Sequence, residues 1–124
     1  MDKPTTLFIN NQDVEYAHHD GCHGGGGPFK LKDAIGKVKD KGLLRFLHDD
    51  VVLPGSSFGE HKHNDPPPFE EWYFCLSGHG VMTCDGKEYP MGPGDISVCY
   101  TGGEHGVKNT GKEDMRILVL GLKA

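Results

Sequence analysis

The sequence has no long hydrophobic run. None of its apolar stretches approaches the roughly 20 residues that cross a bilayer as a helix, so no membrane span is expected. It also lacks a basic block. Lys and Arg total 13 against 18 Asp and Glu, a formal charge of -5, and Lys37, Lys39 and Lys41 are interrupted by Asp40. That balance argues against a nucleic-acid or anionic-membrane surface. The opening residues, MDKPTTLFINNQDVEY, show neither the apolar core nor the cleavage site of a secretory leader. Cys22, Cys75, Cys84 and Cys99 form no C-x-x-C pair. They are expected to be reduced thiols in a cytoplasmic protein. No G-x-S-x-G surrounds Ser56, Ser57, Ser77 or Ser97, which leaves a serine nucleophile unsupported. Gly24 to Gly27 are not followed by Gly-Lys-Ser/Thr, so they do not form a phosphate loop.

Helical periodicity is scarce too, and 124 residues suffice for one domain. What is present is glycine (19) and proline (8), spaced between short apolar runs. That pattern predicts an all-β sandwich or barrel. Strands are expected over 43–53, 58–63, 71–77, 80–84, 87–89, 95–100, 104–109 and 115–122. Asp85-Gly86 is the strongest hairpin signal, because both positions of a two-residue turn take positive φ. In 71–77, Trp72, Phe74 and Leu76 fall on one face, Tyr73 and Cys75 on the other. The run RILVLGL is apolar on both faces and is expected to be covered on both. Residues 1–42 are less regular. Thr6 to Ile9 and Phe29 to Leu31 are strand candidates, Asp33 to Lys41 could make a helical turn weakened by Gly36 and Gly42, and residues 18–28 read as a loop.

The polar residues that stand out are few. His61 and His63 are spaced i, i+2, which puts two imidazoles on one strand face, where both can reach one ion at about 2.0–2.1 Å. A His-x-His pair alone is a weak signal. Glu71 opens the clearest strand, and an inward carboxylate there needs a partner or a metal. Glu70 is adjacent and must face the other way, so one of the two is the ligand. His105 lies in TGGEHGVKN.

Together the spacings become specific. Gly55, His61-x-His63, Glu71 and Gly78 resemble the first motif of the cupin superfamily. Gly94, Tyr100, Gly102, His105 and Asn109 resemble the second, with Tyr100 where that family usually has proline and a longer gap after His63 than usual. The resemblance covers residues 43–122. It implies a double-stranded β-helix, a jelly-roll barrel of two antiparallel sheets, formed by 43–124. Residues 1–42 would then pack as strands and a loop on the barrel or on a partner subunit. It also implies that His61, His63, Glu71 and His105 hold one divalent transition metal, for which Mn, Fe, Co, Ni, Cu and Zn are all chemically acceptable.

The expected function is that of a metal-dependent enzyme on a small polar molecule, of the oxygenase, decarboxylase, lyase or sugar isomerase type. The alternative is a non-catalytic module that binds a small or sugar-like ligand. Tyr73 and Tyr100 are the candidate catalytic acid/base or positioning groups. Glu71 argues against a thiol dioxygenase, which typically lacks that ligand. The stretch 65–69, Asp-Pro-Pro-Pro-Phe, could form part of a lid presenting Phe69 or Trp72. His18, His19, Cys22 and His23 fit no zinc-finger spacing and are expected to fold back over the barrel mouth or across a partner. A homodimer is implied, with Thr6 to Ile9 as the strand exchanged between copies.

Overall fold

A computed structural model describes residues 6–35, 42–63 and 66–123. Among the described residues, one 3-10 turn at Asn11–Asp13 is followed by ten strands. They are β1 (Ala17–Asp20), β2 (Pro28–Asp33), β3 (Leu44–Val52), β4 (Ser57–Lys62), β5 (Phe69–Ser77), β6 (Gly80–Cys84), β7 (Lys87–Met91), β8 (Ile96–Cys99), β9 (Glu104–Lys108) and β10 (Met115–Lys123). Six form one sheet in the order β1-β2-β3-β10-β5-β8, and four form another, β4-β9-β6-β7. The ladders are antiparallel throughout. The result is the double-stranded β-helix expected from the sequence.

The core lies between the sheets. Val52, Tyr73, Cys75, Met115, Ile117 and Val119 come from the larger sheet, and Phe58, Met82, Met91 and Val107 from the smaller. Period two decides which side chains enter it. On β5, Glu71, Tyr73 and Cys75 are buried while Trp72, Phe74 and Leu76 are only half-buried on the outer face. On β10, Met115, Ile117, Val119 and Gly121 are buried. Leu118, Leu120 and Leu122 are half-buried, so this chain by itself covers β10 fully on one face only. A Cβ at Gly121 would lie 2.2 Å from the Phe46 ring. Glycine there is what lets Phe46 cross over β10.

Two devices fix the register. The hairpin between β6 and β7 turns at Asp85 and Gly86, with φ of 49° and 79° as a two-residue Asp-Gly turn requires. Asn109 is fully buried. Its Nδ2 donates to the carbonyls of Val52 and Glu113, each at 2.8 Å, and its Oδ1 accepts from Gly111 N at 2.9 Å. A buried amide satisfied in this way ties the end of β3 to the β9–β10 turn.

The N-terminal third differs from expectation. Thr6 to Ile9 form no strand, and Leu7 and Phe8 are 63% and 90% exposed. His18 to Asp20, read from sequence as loop, belong to β1, which pairs with β2. The partner decides this, because β3 offers an edge that β2 fills and β1 then extends. Of the expected helical turn at Asp33 to Lys41, Asp33 ends β2, Ala34 and Ile35 form a turn, and residues 36–41 lie outside the described residues.

Candidate metal centre

His61 sits on β4 and His105 on β9, directly opposite each other in the ladder. His63 follows the end of β4, where its backbone N donates to the Gly103 carbonyl at 2.8 Å. Glu71 enters from β5, on the facing sheet. A register shift between Phe58 and His61 lets both point inward although they lie three positions apart. One ligand atom from each of His61, His63, Glu71 and His105 lies within 4.8 Å of the others. Period two therefore places Glu71 in the cluster and Glu70 outside it, where Glu70 Oε1 accepts from Trp72 Nε1 at 3.2 Å.

The atoms in this cluster are poorly satisfied by one another. His61 Nε2 and His63 Nε2 are 2.8 Å apart. Glu71 Oε1 lies 2.9 Å from His105 Nε2 and 3.2 Å from His63 Nε2. Yet Glu71 Oε1, His63 Nδ1 and both ring nitrogens of His105 are buried without a hydrogen bond of sound geometry. Orphaned buried polar atoms are costly. Such atoms on two imidazoles and a carboxylate, within a set of three imidazoles and one carboxylate that converges on one point, fit a transition metal. His61 Nδ1 lies 3.1 Å from the Gly59 carbonyl. A carbonyl only accepts, so Nδ1 carries the proton and Nε2 presents its lone pair to the cluster.

Electrostatics set the same protonation states. Burial pushes the His61 imidazole down to about 4, helped by His23, His105 and His63 and opposed by the Gly59 carbonyl. Burial alone would raise Glu71, but the His105 and His63 imidazoles outweigh it and hold the carboxyl at about 2. The site is thus a neutral imidazole donor beside a carboxylate at neutral pH, as metal binding needs.

The mouth above the cluster is a small cavity of about 170 Å³, lined by His23, Phe46, His61, Lys62, His63, Phe69 and Glu71. Phe69 packs against His63 with ring centroids 5.0 Å apart and against Phe46 at 5.7 Å. Arg45 braces this wall, stacking on Phe69 at 4.6 Å and donating to the Pro67 carbonyl at 2.8 Å. Of the two aromatics expected at a lid, Phe69 lines the mouth, while Trp72 lies on the outer face of β5.

The two candidate tyrosines part company. Tyr73 is 3% exposed and its ring centroid lies 4.8 Å from that of His105. Burial, with Glu71 and Asp50 nearby, pushes its hydroxyl well above the usual phenol range. Tyr100 is 63% exposed and borders a separate cavity of about 420 Å³, which it shares with Cys84, Asp85, Cys99 and Glu104 on the other side of His105. The cysteine thiols near the site are not activated. Burial first, then Asp50 and Glu71, pushes Cys22 up to about 11, and burial and Glu71 do the same for Cys99.

One residue escaped the sequence reading, and a second was named only as part of a tract. Asp50 points into the barrel from β3, 4% exposed, with its Oδ1 unpaired, and burial followed by Glu71 and Asp49 raises its carboxyl to about 8. Alternation could have found it: Phe46, His48, Asp50 and Val52 share one strand face. His23 stacks on His61 with centroids 3.6 Å apart and an interplanar angle of 14°. The tract His18 to His23 thus sends its last imidazole over the mouth, as a segment folding back would.

Comparison with known proteins agrees with this geometry. An oxalate-binding protein of Thermotoga maritima is 28% identical over 120 residues, covering 97% of both chains. The crystal structure of a predicted oxalate decarboxylase from the same organism superposes with a TM-score of 0.86 at 26% identity, over 95% of this chain and all of that one. A Cupin 2 conserved barrel domain protein from Salinispora arenicola gives a TM-score of 0.71 at 18% identity, over 98% of this chain and 92% of its own, a likeness of fold. The family described as Cupin domain matches residues 50–121, more than half of the sequence, and the chain belongs to that family.

Proposed function

We propose that this protein binds one divalent transition metal through His61, His63, Glu71 and His105 and uses it to hold a small oxalate-like dicarboxylate. The observation that carries the reading is the four-residue ligand set beneath a cavity of only about 170 Å³. That volume suits a ligand of a few heavy atoms better than the larger molecules that fill pockets of roughly 300–1,000 Å³. A divalent ion with three neutral imidazoles and one carboxylate leaves a net positive charge, which favours an anion. The names of the two Thermotoga maritima relatives supply the choice of oxalate. The ion, when bound, would supply Lewis-acid polarisation of a ligand oxygen. Tyr73, packed on His105, is the tyrosine we place beside the ligand. Tyr100 faces solvent and we assign it no step.

Isothermal titration is expected to show oxalate binding to the metal-loaded protein and none after chelation. Equal heats with and without metal would overturn the reading. Formate release in the same samples separates a decarboxylase from a binding module.

The cytoplasmic location and the division into 1–42 and a barrel over 43–124 belong to this proposal. So does a homodimer. Trp72, Phe74, Leu118 and Leu120 leave the outer face of the larger sheet half-covered and apolar, a surface that a second copy would bury. Sedimentation is expected to return twice the chain mass, and Leu120→Glu to halve it. A parent that sediments as one chain removes this part of the proposal.

A further inference from the structure

The loop after β1 is built to deliver one side chain. Cys22 forms a bridge with Phe58, and its carbonyl accepts from both Gly25 N and Gly59 N, at 2.8 and 2.9 Å. Ser57 N donates to the Gly26 carbonyl at 2.8 Å, and Gly26 N donates to Ser57 Oγ at 3.2 Å. The backbones meet so closely that a Cβ at Gly25 would lie 2.2 Å from the Ser57 carbonyl, and one at Gly59 equally close to the His23 carbonyl. Within this docked loop His23 takes φ of 50°. That conformation is uncommon for a residue with a side chain. Glycines occupy the four following positions, so the chain keeps a histidine where glycine would fit with less strain. Retained strain of this kind points to a use for the side chain.

The use follows from where the ring lies. One face of His23 covers His61, and the residue is otherwise exposed at the mouth. Among the described residues, no protein group hydrogen-bonds its ring nitrogens. It is also absent from the cluster of atoms that could hold the ion. A neutral imidazole always keeps one N–H donor. Lys62 lines the same cavity, so this side of the mouth offers donors to an anion.

We propose that His23 is a ligand-recognition residue: held on His61 by the glycine loop, its ring hydrogen-bonds an anion oxygen that faces out of the mouth, away from the metal. This rests on the reading of the cavity as a small-anion site. It adds specificity, because a monocarboxylate such as acetate, bound to the metal by its only two oxygens, offers no such outward atom.

The test compares the parent, His23→Phe and His23→Gln, all carrying the metal with which they purify. Phenylalanine preserves the stack and removes the donor, and glutamine restores a donor. Elemental analysis is expected to show equal metal in all three. Titration is expected to show oxalate affinity falling on the order of tenfold in His23→Phe, the worth of one hydrogen bond to a charged group, with partial recovery in His23→Gln and acetate affinity unchanged. Unchanged oxalate affinity in a metal-loaded His23→Phe overturns the proposal, as does loss of metal in parallel with affinity. Bicarbonate, a planar anion with an oxygen to spare, serves as a second probe. If the parent ignores oxalate but binds bicarbonate, and His23→Phe weakens that binding, the oxalate reading falls and the role of His23 stands. A parent that binds neither anion overturns both.

Discussion

Replacing His61 and His105 together by alanine is expected to abolish metal retention and to lower the Tm on the order of 10 °C below that of the metal-loaded parent. An ion that binds only the native state stabilises it by about 2.7 kcal/mol when present at a hundredfold excess over its Kd. For a domain of this size each kcal/mol moves Tm by roughly 4 °C. The same loss should follow in the parent when the metal is chelated, and that comparison isolates the metal from the mutation. Without the ion, His105 is an imidazole with both nitrogens buried and unpaired. Deleting it removes that desolvation cost while leaving a cavity, and the two effects oppose each other. The double variant should therefore unfold close to the chelated parent, and chelator should not move it further. Elemental analysis beside thermal denaturation checks both halves. One equivalent of metal in the double variant, or a parent whose Tm ignores chelator, would sink the assignment. His61→Ala alone should already lose the ion, because its Nε2 is the donor that the Gly59 carbonyl orients.

How much of this was legible in the sequence depends on how local the cause is. β6 is local: its bounds and the Asp85-Gly86 turn follow from short-range rules, and the structure reproduces both. That Glu70 and Glu71 face opposite ways is equally local, since period two on one strand separates them, whereas the choice of Glu71 came from the motif resemblance. The meeting of His105 with His61 is not local. It came from the spacing of two motifs, which stands in for the ladder that pairs β4 with β9. Where neither rule applied, the reading failed. Nothing in the residues 18–20 says that they will form a strand, because the open edge of β3 and then β2 decides it. Thr6 to Ile9 have strand composition but join no ladder within this one chain. His23 was read only as part of a tract folding back over the mouth, and its individual placement was not legible because it depends on a backbone contact between Gly25 and Gly59, 34 residues apart in numbering.

Asp50→Asn is expected to flatten a slope in the pH stability of the metal-free protein and to stabilise it at pH 8. The carboxyl is buried in the barrel, and its native pKa is raised to about 8, first by burial and then by Glu71 and Asp49. In the unfolded chain the same group ionises near 3.8. Between those values the native state holds a proton that the unfolded state has released. Stability from this group is therefore complete below about pH 4 and is lost as pH rises toward 8. At about 1.4 kcal/mol per pKa unit, the span amounts to roughly 6 kcal/mol. Asparagine keeps the shape and has no proton to lose, so its curve should lack this slope. Urea unfolding of both proteins at several pH values between 4 and 8 reads the difference. Parallel curves would mean that Asp50 titrates near its ordinary value. The metal enters through Glu71. An ion bound there cancels the negative charge that helps to keep Asp50 protonated, so loading the site should weaken the slope in the parent and leave Asp50→Asn unaffected. By linkage the converse holds: rising pH, by ionising Asp50 beside the cation, should tighten metal binding in the parent more than in the variant. Asp50 would then act as a charge reserve inside the barrel, costly to the empty protein at high pH and favourable to the loaded one.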